Sequence, residues 1–335
     1  MSFLAIGDLA QSFQSRRENA QLTADLQRLA QEVASGRKSE LRNPTTGDFG
    51  ALAGIESALA RLDSFTRVAM ETAVEYDAAQ RALERIERDG QQLAGNLLLT
   101  ASAPQPATVD AVASEGAQVF EAAISTLNTA VGGRSLFAGT GTDGPALDSA
   151  AQILTDLQTA TAGAATAEDL RDAVALWFAP GGGFETGAYL GQPAAADGKR
   201  LSPESAVDPL PLANDPAIAG FLSGAALGAL LDAGALTGQA DARAEAARLA
   251  GDQILGATPG FVTLRASVGT AEEGIARATQ ALAAEEAALE IARSDLVAVD
   301  PFEAASELET VRAQLETKYL LTARLSQLSL SNFLR

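Results

Sequence analysis

Apolar residues recur at helical spacing through most of this chain. Leu22, Leu26, Leu29 and Val33 step by four, three and four, which places them on one stripe of a helix. Leu9 and Phe13 carry the stripe towards the N-terminus. Gly36 ends it, and Asn43-Pro44 followed by Thr45-Thr46-Gly47 predicts a turn. Beyond the turn Leu52, Ile55, Leu59, Leu62, Ala69, Ala73, Tyr76, Leu83, Ile86, Leu93 and Leu97 approximate an alternation of three and four. About 50 residues of that pattern make a helix of roughly 75 Å. Val109, Val112, Val119, Ala123 and Leu127 predict a shorter helix, over 107–131, after a break at Pro104–Pro106.

The pattern returns near the other end. Leu264, Val268, Ile275, Leu282, Leu289 and Leu296 lie close to seven apart and predict a helix ending near residue 297. At the break Asp300-Pro301-Phe302-Glu303, Asp300 is an expected N-cap and Pro301 suits the first turn. Glu303 stands where a capping box would have its second member. The last helix carries Leu308, Val311, Leu315, Tyr319, Leu325, Leu328 and Phe333. Both terminal stripes need covering, because an isolated helix is marginal in water. The economical expectation is that 5–35 and 303–334 pack on each other as a coiled coil. Any stripe left over then packs on other subunits, and such heterologous contacts build rings or filaments.

Proline and charge mark off the middle. Of 12 prolines, seven lie between Pro145 and Pro216. Residues 141–240 hold 12 acids and 3 bases, nearly half of the net charge of −19. Five segments are expected: 1–45 and 300–335 as terminal coiled coil, 46–139 and 241–299 as helical rod, and 140–240 as an inserted, exposed domain. The expected fold is mainly α: a long antiparallel helical rod with a terminal coiled coil and a mixed α/β middle domain. Ala217 to Leu231 is uncharged, but its 15 residues fall short of the roughly 20 that a membrane span requires. It is expected to be a buried helix, and no membrane partner is expected.

Composition removes whole classes of chemistry. There is no histidine and no cysteine, hence no imidazole base, thiolate nucleophile or zinc site of the usual ligand sets. The acidic balance argues against a nucleic-acid partner. The start MSFLAIGDLA lacks the basic residues of a cleaved secretory signal. Gly139-Thr140-Gly141-Thr142-Asp143-Gly144 has G-x-G-x-x-G spacing, but Pro145 follows where a dinucleotide fold needs a helix. It is read as a turn. Gly181-Gly182-Gly183 is expected to form a hairpin between Trp177-Phe178 and Phe184, and Glu272-Glu273 and Glu285-Glu286 to sit on solvated helical faces. No catalytic, metal or cofactor site is expected.

Three stretches together resemble a known family. Leu26 to Arg37 (LQRLAQEVASGR), closing on Ser35-Gly36-Arg37, resembles the opening helix of flagellins and flagellar hook-associated proteins. Asp300 to Arg335 is similar to the flagellin C-terminal signature. Between them Gly133 to Thr140 (GRSLFAGT), with Arg134, Phe137, Ala138, Gly139 and Thr140, resembles the G-R-x-L-F-A-G-T element of the hook–filament junction class, hook-associated protein 3. One departure stands out: the junction class often carries S-D-D-P after the first turn, and here the stretch reads Arg42 to Asp48 (RNPTTGD).

The resemblance implies a structural, non-enzymatic flagellar protein, exported through a type III apparatus without a cleaved signal and located outside the cell. It implies that the terminal helices become coiled coil on assembly. Neighbouring flagellar subunits, namely flagellin, another hook-associated protein and further copies in a ring, would be the partners. It further implies an export chaperone on the C-terminal helix, with Leu315, Tyr319, Leu325, Leu328 and Phe333 as contacts. The expected assembly face joins Leu9, Phe13, Leu22, Leu26, Leu29 and Val33 to Leu308, Val311, Leu315, Tyr319, Leu325, Leu328 and Phe333. Two alternatives stay open. One is the filament subunit itself. The other is an acidic helical adhesin or binding protein, or a hydrolase grafted onto the middle domain.

Overall fold

A computed structural model describes residues 3–39, 49–193 and 198–333, with side-chain environments for 12–39, 50–193 and 198–324. The chain is mainly helical, as the periodicity predicts, and falls into two units: Met1–Leu62 with Ala284–Arg335, and Asp63–Ala283. Two long helices, α2 (Phe49–Ser102) and α7 (Ala240–Val297), contribute to both. The expected turn at 43–47 lies outside the described residues.

In the first unit α1 (Phe3–Ser35) packs on α8 (Pro301–Phe333). Both are rich in Ala, Leu, Glu, Gln and Arg, the strong helix formers. Their direction follows from two cross-links. Lys318 Nζ donates to Glu18 Oε2 at 2.6 Å, and Arg37 forms an antiparallel bridge with Ala298. As the number rises along one strand of the pairing it falls along the other, so α1 and α8 run antiparallel. Asp300 caps α8 as expected, its Oδ1 accepting from Phe302 N at 2.8 Å and Glu303 N at 3.2 Å. The return bond from Glu303 is not made among the described residues. The full capping box stands instead at the start of α5 (Ala167–Phe178), between Thr166 and Asp169.

In the second unit the buried positions of α2 repeat at three and four: Ala69, Thr72, Tyr76, Ala79, Leu83, Ile86, Gly90, Leu93 and Leu97. α7 shows the matching register, with Ile254, Phe261, Val268, Ile275 and Leu282 spaced seven apart and buried. Such seams pack helices side by side at shallow angles. Arg265 on α7 ties them by donating to Glu87 on α2 at 2.8 Å. Between Ala240 and residue 260 α7 starts earlier than the Leu264 stripe predicts, and it contains Pro259. Small residues, Ala244, Ala246, Ala247, Ala250 and Gly251, bury that first part, so apolar periodicity in large residues misses it.

α3 (Pro106–Leu127) and α6 (Pro216–Asp232) cross at two glycines. A Cβ placed on Gly116 would stand 2.8 Å from the Cα of Gly228, so only glycine permits this approach. α6 is the uncharged stretch, and its residues from Phe221 to Leu231 are all buried, as expected. Phe221 lies over Gly90 of α2 and meets Phe261 of α7 edge-on, ring centres 5.6 Å apart. No described helix is long and apolar enough to cross a membrane. The short helix α4 (Ala150–Ala160) is capped by Ser149, which accepts from Gln152 N. Among the described residues, the named strands are two antiparallel pairs of two residues each. In them β1 (Ala130–Val131) meets β2 (Arg134–Ser135), and β3 (Lys199–Arg200) meets β4 (Ala206–Val207).

Three local expectations are corrected. α3 stops at Leu127 because residues 130–135 turn into the first strand pair. The Gly181-Gly182-Gly183 run is no hairpin: it leads from α5 into a π-helical turn at Phe184–Ala188. The indole of Trp177 occupies the space a side chain on Gly183 would need, and Trp177, Phe178 and Phe184 cluster around it. Glu272 is not on a fully solvated face. It is half-buried, and burial with the nearby Asp77 charge holds its carboxyl above the usual range.

Candidate assembly surface and motif turn

The expected assembly residues divide by environment. Leu29 and Leu315 are buried, while Leu22, Leu26, Leu308 and Val311 are half-buried. The antiparallel register sets Leu22 near the level of Leu315, and Leu26 near that of Leu308 and Val311. These six therefore form the seam between α1 and α8. Val33, Phe13 and Tyr319 are instead exposed, Phe13 to 71% and Tyr319 to 57%. Leu320 and Leu321 are exposed beside Tyr319, and the same register brings them level with Phe13. Sequence reasoning did not single out Leu320 and Leu321, because they fall off the stripe that α1 covers. The side chains of Leu9, Leu325, Leu328 and Phe333 lie outside the described residues.

Ser35, Gly36 and Arg37 close α1. Gly36 takes the left-handed conformation (φ 67°) and its N–H donates to Glu32 O at 2.8 Å, a helix stop that glycine adopts without strain. The Ser35 hydroxyl accepts from Arg37 N at 3.3 Å. The chain then runs beside the end of α7: Lys38 N donates to Val297 O at 2.9 Å, and Val299 N donates to Gly36 O at 3.1 Å. Glu32 locks this corner. It is 5% exposed, and its carboxylate accepts from Ser39 N at 2.9 Å, Ser39 Oγ at 2.7 Å and Arg28 at 3.3 Å. Burial alone would raise its pKa. The Ser39 bonds and the Arg28 charge outweigh that and hold it below the usual carboxylate value. Glu32 was missed from sequence. Its only signal is an acid on the edge of the apolar stripe, four residues after Arg28.

The Arg134 to Thr140 motif sits in the second unit as a folded turn. Arg134 is exposed on β2, while Leu136, Phe137 and Ala138 are buried. The carbonyl of Phe137 accepts from Ala213 N at 2.9 Å, and that of Ala138 accepts from Gln192 N at 2.9 Å. Gly139 is left-handed (φ 64°), and a Cβ there would strike the Gln192 carbonyl at 2.0 Å. Thr140 N and Oγ1 both donate to Pro193 O. The motif is thus the joint where the segments around Gln192 and Ala213 attach to the end of α3. Its glycine is required by close backbone approach, not by a phosphate.

α2 braces the same joint. Tyr76 donates its phenol to the Asp208 carbonyl, and Glu75 accepts from Lys199 at 2.5 Å. Burial, then the Glu75 and Asp208 charges, push the Tyr76 phenol up to about 12. Among the described residues, no group of three acidic, histidine or cysteine side chains could hold a metal ion.

The described terminal helices are paired and leave Phe13, Tyr319, Leu320 and Leu321 exposed, and the motif forms a folded turn. Residues 239–334, which take in the whole of α7 and α8, match the family described as the bacterial flagellin C-terminal helical region. The chain therefore carries a flagellin-like C-terminal region, which supports a structural role in the bacterial flagellum. No curated protein matches the chain.

Proposed function

We propose that this chain is the adaptor between the flagellar hook and the filament, the role of hook-associated protein 3, and that it works by assembly. The observation that carries assembly is the apolar band of Phe13, Tyr319, Leu320 and Leu321, exposed on helices that are already paired. Exposed apolar groups at one level of a helix pair call for another apolar surface. In this reading 1–45 and 300–335 form the inner coiled coil, 46–139 and 241–299 the rod around it, and 140–240 the outward-facing domain. Partners are neighbouring flagellin and hook-associated subunits, and other copies of this chain in a ring. An export chaperone holds the C-terminal helix before passage through a type III apparatus, and the finished protein lies outside the cell.

A second reading is the filament subunit itself. The Arg134 to Thr140 turn favours the adaptor, because that element resembles the junction class. Co-sedimentation with isolated hooks separates the two readings. An adaptor decorates one hook end in a limited ring and then accepts flagellin. Growth into long filaments by the purified chain alone would establish the filament subunit instead.

A further inference from the structure

We infer that the motif turn and the β3–β4 pair enclose a binding site for a single carboxylate group, independent of the assembly role. A cavity of about 260 Å³ lies within the second unit between them. Its lining is rich in donors. Arg134 is exposed at its wall and has no acidic partner among the described residues. Lys199 points a further positive charge there, and only one of its donors is taken by Glu75. Thr142 adds a hydroxyl, while that of Thr140, also in the lining, already donates to Pro193 O. Ser135, 6% exposed, also lines the cavity, and its buried hydroxyl has no hydrogen-bond partner among the described residues.

A buried hydroxyl without a partner is costly in a finished site. Here one side-chain rotation would turn it to a bound group. Two cations against one acid leave a single positive charge on the lining, in a protein whose net charge is −19. A donor-rich wall with that residual charge suits a monoanionic acceptor, and a guanidinium fork matches the two oxygens of a carboxylate. The volume falls below the roughly 300–1,000 Å³ of cofactor and drug-sized sites. It suits a small carboxylic acid or the side chain of a glutamate or aspartate from another polypeptide.

Nuclear magnetic resonance of the full chain tests this with three probes: acetate, the capped peptide acetyl-Ala-Glu-Ala-amide, and its glutamine counterpart. Saturable shifts at the amides of residues 134–142 with acetate and the glutamate peptide are expected, and none with the glutamine peptide. Arg134→Gln, at an exposed position that does not threaten folding, should weaken binding by about tenfold or more. Arg200→Gln, a neighbouring base outside the lining, should leave it unchanged. Tighter binding of the peptide than of acetate identifies a polypeptide side chain as the source, and equal binding a free carboxylate. Absence of saturation, equal shifts with the glutamine peptide, or equal weakening by Arg200→Gln would overturn the site.

Discussion

The α3–α6 crossing makes a sharp prediction about two glycines that look alike in sequence. In Gly116→Ala the new Cβ would meet Gly228 Cα at 2.8 Å and Gly228 C at 3.1 Å. Carbon atoms prefer roughly 3.5–4.0 Å, so the helices must part by about 1 Å. Both sides of the clash are backbone, and no rotamer change relieves it. Overpacking of this kind costs about 1–3 kcal/mol, and the upper end applies where nothing flexible can yield. Against it stands a gain of about 1 kcal/mol, because alanine favours helix over glycine. The net expectation is a loss of about 2 kcal/mol. Gly95→Ala on α2 is the control: a Cβ there meets nothing within 4 Å, so only the gain of about 0.5–1 kcal/mol remains. Urea unfolding followed by circular dichroism measures both. If Gly116→Ala proves as stabilising as Gly95→Ala, the close crossing does not exist and the packing account of the second unit fails.

Two further outcomes follow from titratable groups. Glu32 has a lowered folded-state pKa, so its contribution is present above the usual value of 4.5 and is lost as pH falls through the folded value. Glu32→Gln should cost about 1–3 kcal/mol at pH 7 and remove that acid-side dependence. Helix content against pH, wild type beside variant, measures it, and identical acid profiles would refute the role. Tyr76 is the reverse case. Its pKa is raised from 10.0 to about 12, so its contribution is complete below 10.0 and disappears as pH rises through about 12. Tyr76→Phe should cost about 1 kcal/mol and delete the latest step of the ultraviolet tyrosinate titration, and persistence of that step would show another tyrosine to be the buried one.

The long seams were legible because their chemistry repeats. Tyr76, Leu83, Ile86, Leu93 and Leu97 announce α2 by spacing alone, and Val268, Ile275 and Leu282 do the same for α7. The uncharged run from Ala217 to Leu231 announces a buried helix. Glycine contacts were not legible. Gly116 and Gly228 sit inside helices that glycine nominally weakens, and nothing local says that each is needed by the other. Gly183 was misread as part of a hairpin because its requirement comes from the Trp177 indole. The first part of α7, within the expected rod segment 241–299, shows no period in large residues because alanines pack without marking one. In the assembly surface the seam residues were readable, since Leu22, Leu29 and Leu315 follow the stripe. Leu320 and Leu321 were not, because residues exposed on the pair need not share the period of the stripe it buries.

The most direct test of the central claim uses that difference. Phe13→Asp with Leu320→Asp changes residues exposed on the folded chain, so helix content and unfolding midpoint should stay near wild type. If the exposed band on the terminal helices drives assembly, the same variant should no longer co-sediment with isolated hooks. Unimpaired binding to hooks by a normally folded double variant would contradict the claim that these helices carry the protein into the flagellum.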